Sequence, residues 1–444
     1  MKNRRLVTTL LAAGTVAAQP ATSQTRQWRP EERVVLRDYS TVFQVAATND
    51  AVYAATTGGL IVYDTRFNRW LTPLTELDGF PGGEVVTAML GDPLDQSMWI
   101  VAVDELVHYL PRIQLVERIP VPLLIESLFF DVSDPFGGLY LGTSDRQWFV
   151  IRRGSSIPVR VGRFPPPGQR LTSSTLGRVL RLFPAADAMQ ATALFESGRQ
   201  YRYTSAAVDP MGRMAYFGTH GLGLFRYDAG VARLERMPFG LLADGVGAIA
   251  VADEGVWVGT TPYSLQPTPY APGFTWLTED LEEFHIDRGQ DLAGYRFREV
   301  RDIARWKDEW WAATEAGVVR VGGRGRGQGR GRRSDTIDRR GGLPASDTYA
   351  LAVTRDGMWV ATSRGLALLR DDGTSVQVAQ GAFDALAADE GTIWVGGPSG
   401  VLYVAGDAEG VTRPTGDPLL REPIEALAVA DGRVVVATRD QIVW

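Results

Sequence analysis

The sequence predicts an all-β fold: a single large β-propeller of about nine four-stranded blades, with eight as the alternative count. Three observations carry this expectation. A phrase of strand-like composition recurs along the 444 residues. Its copies stand 35 to 54 residues apart, with one gap of 76, a period that suits one blade per copy. The two ends of the chain each read as part of a blade, so that pairing the N- and C-terminal strands would close the ring.

The phrase appears as VYAATTGGLIVYD (Val52 to Asp64), AYFGTHGLGLFRYD (Ala215 to Asp228), WWAATEAGVVRV (Trp310 to Val321) and MWVATSRGLALL (Met358 to Leu369). Aligning all copies places an aromatic three residues before a Thr or its equivalent. These aromatics are Tyr53, Trp99, Tyr140, Tyr216, Trp257, Trp311, Trp359 and Trp394, with Val435 in the ninth copy. MWIVAVDELVHY (Met98 to Tyr109) is the weakest copy, and absorbing it into a neighbour gives the count of eight.

Each unit has an internal order. Small and branched residues come first, as in AIAVA (Ala248 to Ala252) and ALAV (Ala350 to Val353; Ala426 to Val429). These read as innermost strands, where blades converge and only small side chains fit. A hairpin turn such as RDG (Arg355 to Gly357) follows. The second strand carries the aromatic and is apolar on both faces, as expected for a sheet packed between two others. A Gly-Leu or Gly-Val turn then leads to a third strand, and a less regular outer strand ends the unit. The last copy stops at its third strand, whereas ERVVLRDYS (Glu32 to Ser40) looks like an outer strand without a blade. Joining the two removes exposed sheet edges and argues against a further C-terminal domain.

The N-terminus has the layout of a secretory signal peptide. Lys2, Arg4 and Arg5 precede an apolar stretch, Leu6 to Ala18, that ends in small residues. Cleavage after Ala18 is expected, an uncleaved anchor being the alternative. That divides the chain into a signal peptide (1–18), a linker (19–31) and a propeller (32–444). The protein is then exported, to the periplasm or the cell surface, with no membrane span after cleavage. Cysteine is absent, which rules out disulfides and thiolate metal sites. Net charge is −6 and falls to −9 once the leader is lost. That balance opposes general nucleic-acid binding, which needs a basic footprint.

Two insertions interrupt the repeat, at about 164–198 and 261–297. The first has helical character either side of Pro184. Both fall in connections that share one face of a propeller, which makes that face the candidate binding surface. On it, the aromatics Tyr263, Tyr270 and Trp276 would stack or pack against a ligand, and His220 and Arg364 in repeat turns would orient it. A third irregularity, GGRGRGQGRGRR (322–333), is Gly-rich and carries five arginines. It reads as a solvated inter-strand loop on the opposite face. Its alternative reading is salt-sensitive contact with anionic lipid or polysaccharide.

The phrase DGMWVATSRGL (Asp356 to Leu366) resembles the two-component-regulator propeller repeat. EGVWVGT (Glu254 to Thr260) and EGTIWVGGPSGV (Glu390 to Val401) resemble it too. The resemblance runs over nearly the whole mature chain. It implies the extracytoplasmic sensor part of a hybrid histidine kinase, or a stand-alone envelope propeller such as those of type IX secretion machinery. The sequence departs from the kinase type, having no kinase module or membrane helix after the repeats.

Chemistry is sparse. His108, His220 and His285 lie in different repeats without metal-ligand spacing, and neither a metal nor a cofactor is expected. TEDLEEFHID (Thr278 to Asp287) could hold an acid/base pair, Glu282 or Glu283 with His285. Such a dense run more commonly forms a solvated face. The expectation is therefore a non-enzymatic sensor or scaffold module that binds an envelope protein or a glycan. The alternatives are a structural subunit of a larger envelope or secretion complex, and a propeller lyase or hydrolase.

Overall fold

The computed structural model describes residues 34–443 except 104, 122–123, 132–137, 163–169, 197–198, 263–271, 279, 289–296, 322–335, 390, 406–410, 415–417 and 431–432. The expected signal peptide, the Arg-Gly tract and much of the second insertion therefore lie outside the described residues.

The described chain is built from antiparallel sheets whose strands follow one another in sequence. Sheet 1 comprises Val42–Ala47, Ala51–Thr56, Gly59–Asp64 and Arg69–Trp70. The first strands of sheets 2, 3 and 4 are Val86–Gly91, Ile125–Asp131 and Tyr203–Val208. Those of sheets 5 to 9 are Val246–Ala252, Val300–Trp306, Thr348–Thr354, Ala385–Asp389 and Ile424–Ala430. Eight sheets repeat the four-strand meander, sheet 3 with an added strand, Arg170–Thr172, on its inner edge. Sheet 9 has three strands among the described residues.

The chain divides into two compact units, 29–241 with 281–284, and 242–280 with 285–444. In the C-terminal unit the sheets pack in chain order from 5 to 9. Each neighbouring pair shares an apolar cluster, for instance Trp306, Trp311 and Val318 with Leu351, Met358 and Val360 between sheets 6 and 7. Each of these clusters takes in one repeat aromatic. Tyr53, Trp99, Tyr216, Trp257, Trp311 and Trp359 are buried, while Tyr140 and Trp394 are half-buried.

The N-terminal unit differs from the single ring expected. Sheet 1 is flanked by sheets 2 and 4, whereas a nine-blade ring in chain order would flank it by sheets 2 and 9. The contact with sheet 4 is close. Thr204 Oγ1 donates to the Val42 carbonyl at 2.7 Å. Gly218 has no side chain where an added Cβ would stand 2.5 Å from Val42 Cγ1. Between sheets 3 and 4 lies the first insertion. Its Arg170–Thr172 strand pairs with sheet 3. Its two helices, α1 (Leu176–Leu182) and α2 (Pro184–Ala193), bury Val179, Phe183 and Ala186 against Tyr203, Ala206 and Phe217 of sheet 4. Pro184 opens α2 at a position where its missing N–H costs nothing.

The N-terminal segment also departs from the expected pairing with the last strand. Its described part binds sheet 4. The Ser40 carbonyl accepts from Gly221 N and Gly223 N at 2.9 and 2.8 Å, and Leu241 N donates to the Arg37 carbonyl at 2.8 Å. Tyr39, 1% exposed, packs on Phe239 with ring centroids 5.3 Å apart. A buried aromatic anchor and these main-chain bonds give the segment a partner inside its own unit.

Candidate functional site

The repeat phrase builds one strand end with unusual regularity. Its Thr is buried and clamps the turn that follows. Thr362 Oγ1 donates to the Gly365 carbonyl at 2.7 Å and accepts from Arg364 N and Gly365 N at 3.2 and 3.0 Å. Thr56 and Thr314 make the same bond to Gly59 and Gly317, at 2.8 and 2.7 Å. Glycine is required at the turn's end. Gly317 has φ +126°, and a Cβ there would lie 2.5 Å from the Ile337 carbonyl oxygen.

Opposite this Thr the first strand carries a β-bulge. The register slips by one residue at Phe43, Thr87, Glu126 and Thr204 in the N-terminal unit. It slips at Gly247, Arg301, Tyr349 and Glu425 in the C-terminal unit. A bulge leaves the extra residue out of the ladder and re-aims its side chain. Each unit therefore presents bulge residues beside Thr-clamped turns at one strand end. The strand that precedes the second insertion, Gly255–Thr260, ends at this same strand end, and the strand that follows it, Val300–Trp306, begins there.

In the C-terminal unit this rim is charged. Arg301 donates from Nε to Glu299 at 2.6 Å, and from Nη1 to Asp347 at 2.7 Å and the Thr348 carbonyl at 3.1 Å. Its guanidinium lies 4.2 Å from the centroid of the Tyr349 ring, in cation–π range. Tyr349 Oη donates to Asp347 at 2.9 Å. The Arg364 turn is tied in by main-chain bonds, Ser363 N to the Asp347 carbonyl at 3.0 Å and Gly381 N to the Arg364 carbonyl at 3.4 Å. Asp384 follows that loop. Burial raises its carboxyl above the usual range, against the pull of Arg301. Burial likewise raises the Tyr349 phenol, with the Asp347 carboxylate adding to it. Glu299, Asp347 and Asp384 thus surround one buried-side cation, Arg301, while Arg364 is exposed. The arrangement suits recognition: fixed acceptors, one aromatic face and one exposed guanidinium. In the N-terminal unit the equivalent rim carries exposed Glu126 at its bulge and Asp145 and Arg146 in the Thr143 turn. The exposed His220 meets the Phe43 ring edge-on at 5.4 Å, and its backbone bridges to Thr41.

His220 and Arg364 accordingly occupy matching turns, but in different units. Trp276 is corrected. It is 5% exposed, pairs across the ladder with Trp257, and fills the core between sheets 5 and 6. Its place on a strand, where both faces are covered, removes it from any binding surface. Tyr263 and Tyr270 lie outside the described residues. The proposed acid/base pair has other partners: His285 Nε2 is 3.2 Å from Asp287, and Glu282 is 3.8 Å from Arg69. Arg301, Asp347, Tyr349 and Asp384 escaped the sequence reading. A signal existed, since a polar or aromatic residue stands immediately before the small-residue run in RDIA, YALAV and EALAV.

Among the described residues no group of three or more His, Asp or Glu is placed to hold a metal. Among the described residues no helix is long and apolar enough to cross a membrane.

No family model matches the chain, and no curated protein matches it. Solved structures do. One is the extracellular domain assigned to a hybrid two component system of B. thetaiotaomicron, 15% identical over 82% of this chain and 56% of that one, TM-score 0.31. Another is PorZ, a surface component of the type-IX secretion system of Porphyromonas gingivalis, 13% identical over 90% and 61%, TM-score 0.29. A third is the GH74 enzyme of Niastella koreensis, 10% identical over 91% and 78%, TM-score 0.27. The chain spans less than two thirds of the first two. At these distances the names describe those proteins alone, because one architecture hosts many functions.

Proposed function

We propose that the protein is an exported, non-catalytic binding module of the cell envelope, a sensor or scaffold. Its C-terminal rim would bind a glycan or a protein partner. The observation that carries this reading is the bulge-presented cluster of Arg301, Tyr349 and Asp347 beside the exposed Arg364 turn. Side chains held by two or three bonds each are pre-organised, which lowers the ordering cost of binding. The signal-peptide layout and the resemblance of the repeat support the compartment and the class.

The test compares the mature chain with a Tyr349→Ala/Arg364→Glu variant as bait in native envelope extract, alongside a panel of purified envelope glycans. A ligand retained by the parent and lost by the folded variant is the expected result. Identical retention by both, or saturable turnover of any glycan by the parent, would overturn the reading.

A further inference from the structure

A cavity lies at the other strand ends of the N-terminal unit. It is walled by the ends of the first strands of sheets 1, 2 and 4 and by residues 171–174 of the insertion, and encloses about 300 Å³. That is the small end of the range for ligand sites, with room for one pyranose-sized ring. Phe43 and Thr87 bulge at the starts of these same strands, so the cavity is separate from the rims described above.

The lining decides the chemistry. Among the described residues Asp92 is its one ionisable residue, and that carboxylate is already paired. Both of its oxygens stand 3.1 Å from Arg153 Nη1, and Oδ1 accepts from Leu94 N at 2.8 Å. Gln96 is also spent, accepting from Asn49 N at 2.8 Å and donating to the Pro93 carbonyl at 3.1 Å. Among the described residues, the side chains of Asn49, Thr172, Ser173 and Ser174 make no hydrogen bond to protein. An apolar wall that includes Val208 and Pro210 completes the enclosure. Neutral donors and acceptors beside an apolar surface match a molecule that carries hydroxyls on its rim and C–H groups on its face. A charged ligand would lose hydration without meeting a counter-charge.

We propose that this cavity binds a small neutral polyol of monosaccharide size, held by Asn49 and by Ser173 and Ser174 of the insertion. The site depends on the insertion, because Leu171 to Ser174 form one wall.

Calorimetric titration of the mature chain with glucose, galactose, mannose and myo-inositol tests it, with glucuronate and glucosamine as charged counterparts. At least one neutral probe should bind saturably at one site and more tightly than either charged probe. Asn49→Ala, and separately Ser173→Ala/Ser174→Ala, should each weaken it roughly five- to tenfold, the worth of one or two hydrogen bonds. Asn49 is exposed, so its variant should keep the parent melting temperature. Tyr349→Ala should leave binding unchanged, which separates this site from the charged rim. No saturable neutral ligand, equal binding of a charged probe, or binding indifferent to all three cavity substitutions would overturn the proposal.

Discussion

Asp302 shows what one residue contributes beside the charged rim. It follows the Arg301 bulge, and its carboxylate is drawn inward. Oδ2 accepts from Leu351 N of sheet 7 at 2.7 Å, and Oδ1 accepts from Ile303 N at 2.8 Å. Burial outweighs these bonds and pushes the carboxyl up to about 6. A carboxyl raised in the folded state favours folding while protonated. Its contribution is fully present below the unfolded value near 4 and is lost as pH rises through 6. The loss is about 3 kcal/mol for a shift of roughly two units. In Asp302→Asn this dependence should vanish. Urea unfolding at pH 4 and pH 7 would show the parent losing that much more stability than the variant over the interval. Equal losses would place the Asp302 carboxyl in water.

At the scale of the element, the Thr-clamped turn is what the repeat encodes. The hydroxyl of Thr362 supplies both an acceptor and a donor to a buried turn, so its loss orphans main-chain groups that water cannot reach. Thr362→Val keeps shape and removes all three bonds, and should cost about 1–3 kcal/mol. Thr362→Ser should recover most of that. Urea midpoints of the three proteins check it, and a Val variant as stable as the parent would show the turn to be held by packing alone. The aromatic three residues earlier is fixed by a different force. Trp359 donates its indole N–H to Thr354 at 3.2 Å, yet the buried indole N–H groups of Trp257 and Trp311 have no partner among the described residues. Those two rings are retained for the apolar volume between sheets.

At the scale of the molecule, the first insertion is part of a core rather than an appendage. Val179 and Ala186 are at most 1% exposed, and Leu194 is equally covered against sheet 4. Replacing 174–194 with a short Gly-Ser link would expose several apolar side chains of about 1.5–3 kcal/mol each. Hydrogen exchange should then show lost protection in sheet 4 and in sheet 1, which packs on it, while sheets 6 to 8 keep theirs. Unchanged protection in sheet 4 would show that the helices only cover the surface. A deletion of this kind therefore reports on folding as well as on binding, and point substitutions are the cleaner probe of either site.

The sequence by itself determined the strands. Alternating small, aromatic and turn residues recur because every sheet must solve one local packing problem, and Thr, Gly and Trp solve it the same way each time. The helices around Pro184 were legible for the same reason, and so were His220 and Arg364 as turn residues at one strand end. Only the tertiary structure decided which sheets are neighbours. Sheet 1 meets sheet 4 through Val42 and the bare Gly218, a contact between residues far apart in sequence that no local pattern records. It also decided the fate of Trp276, since burial depends on what covers a strand and not on its composition. The Arg301–Tyr349–Asp347 cluster was hidden because its members belong to different repeats and meet only after two bulges have turned them to the same rim.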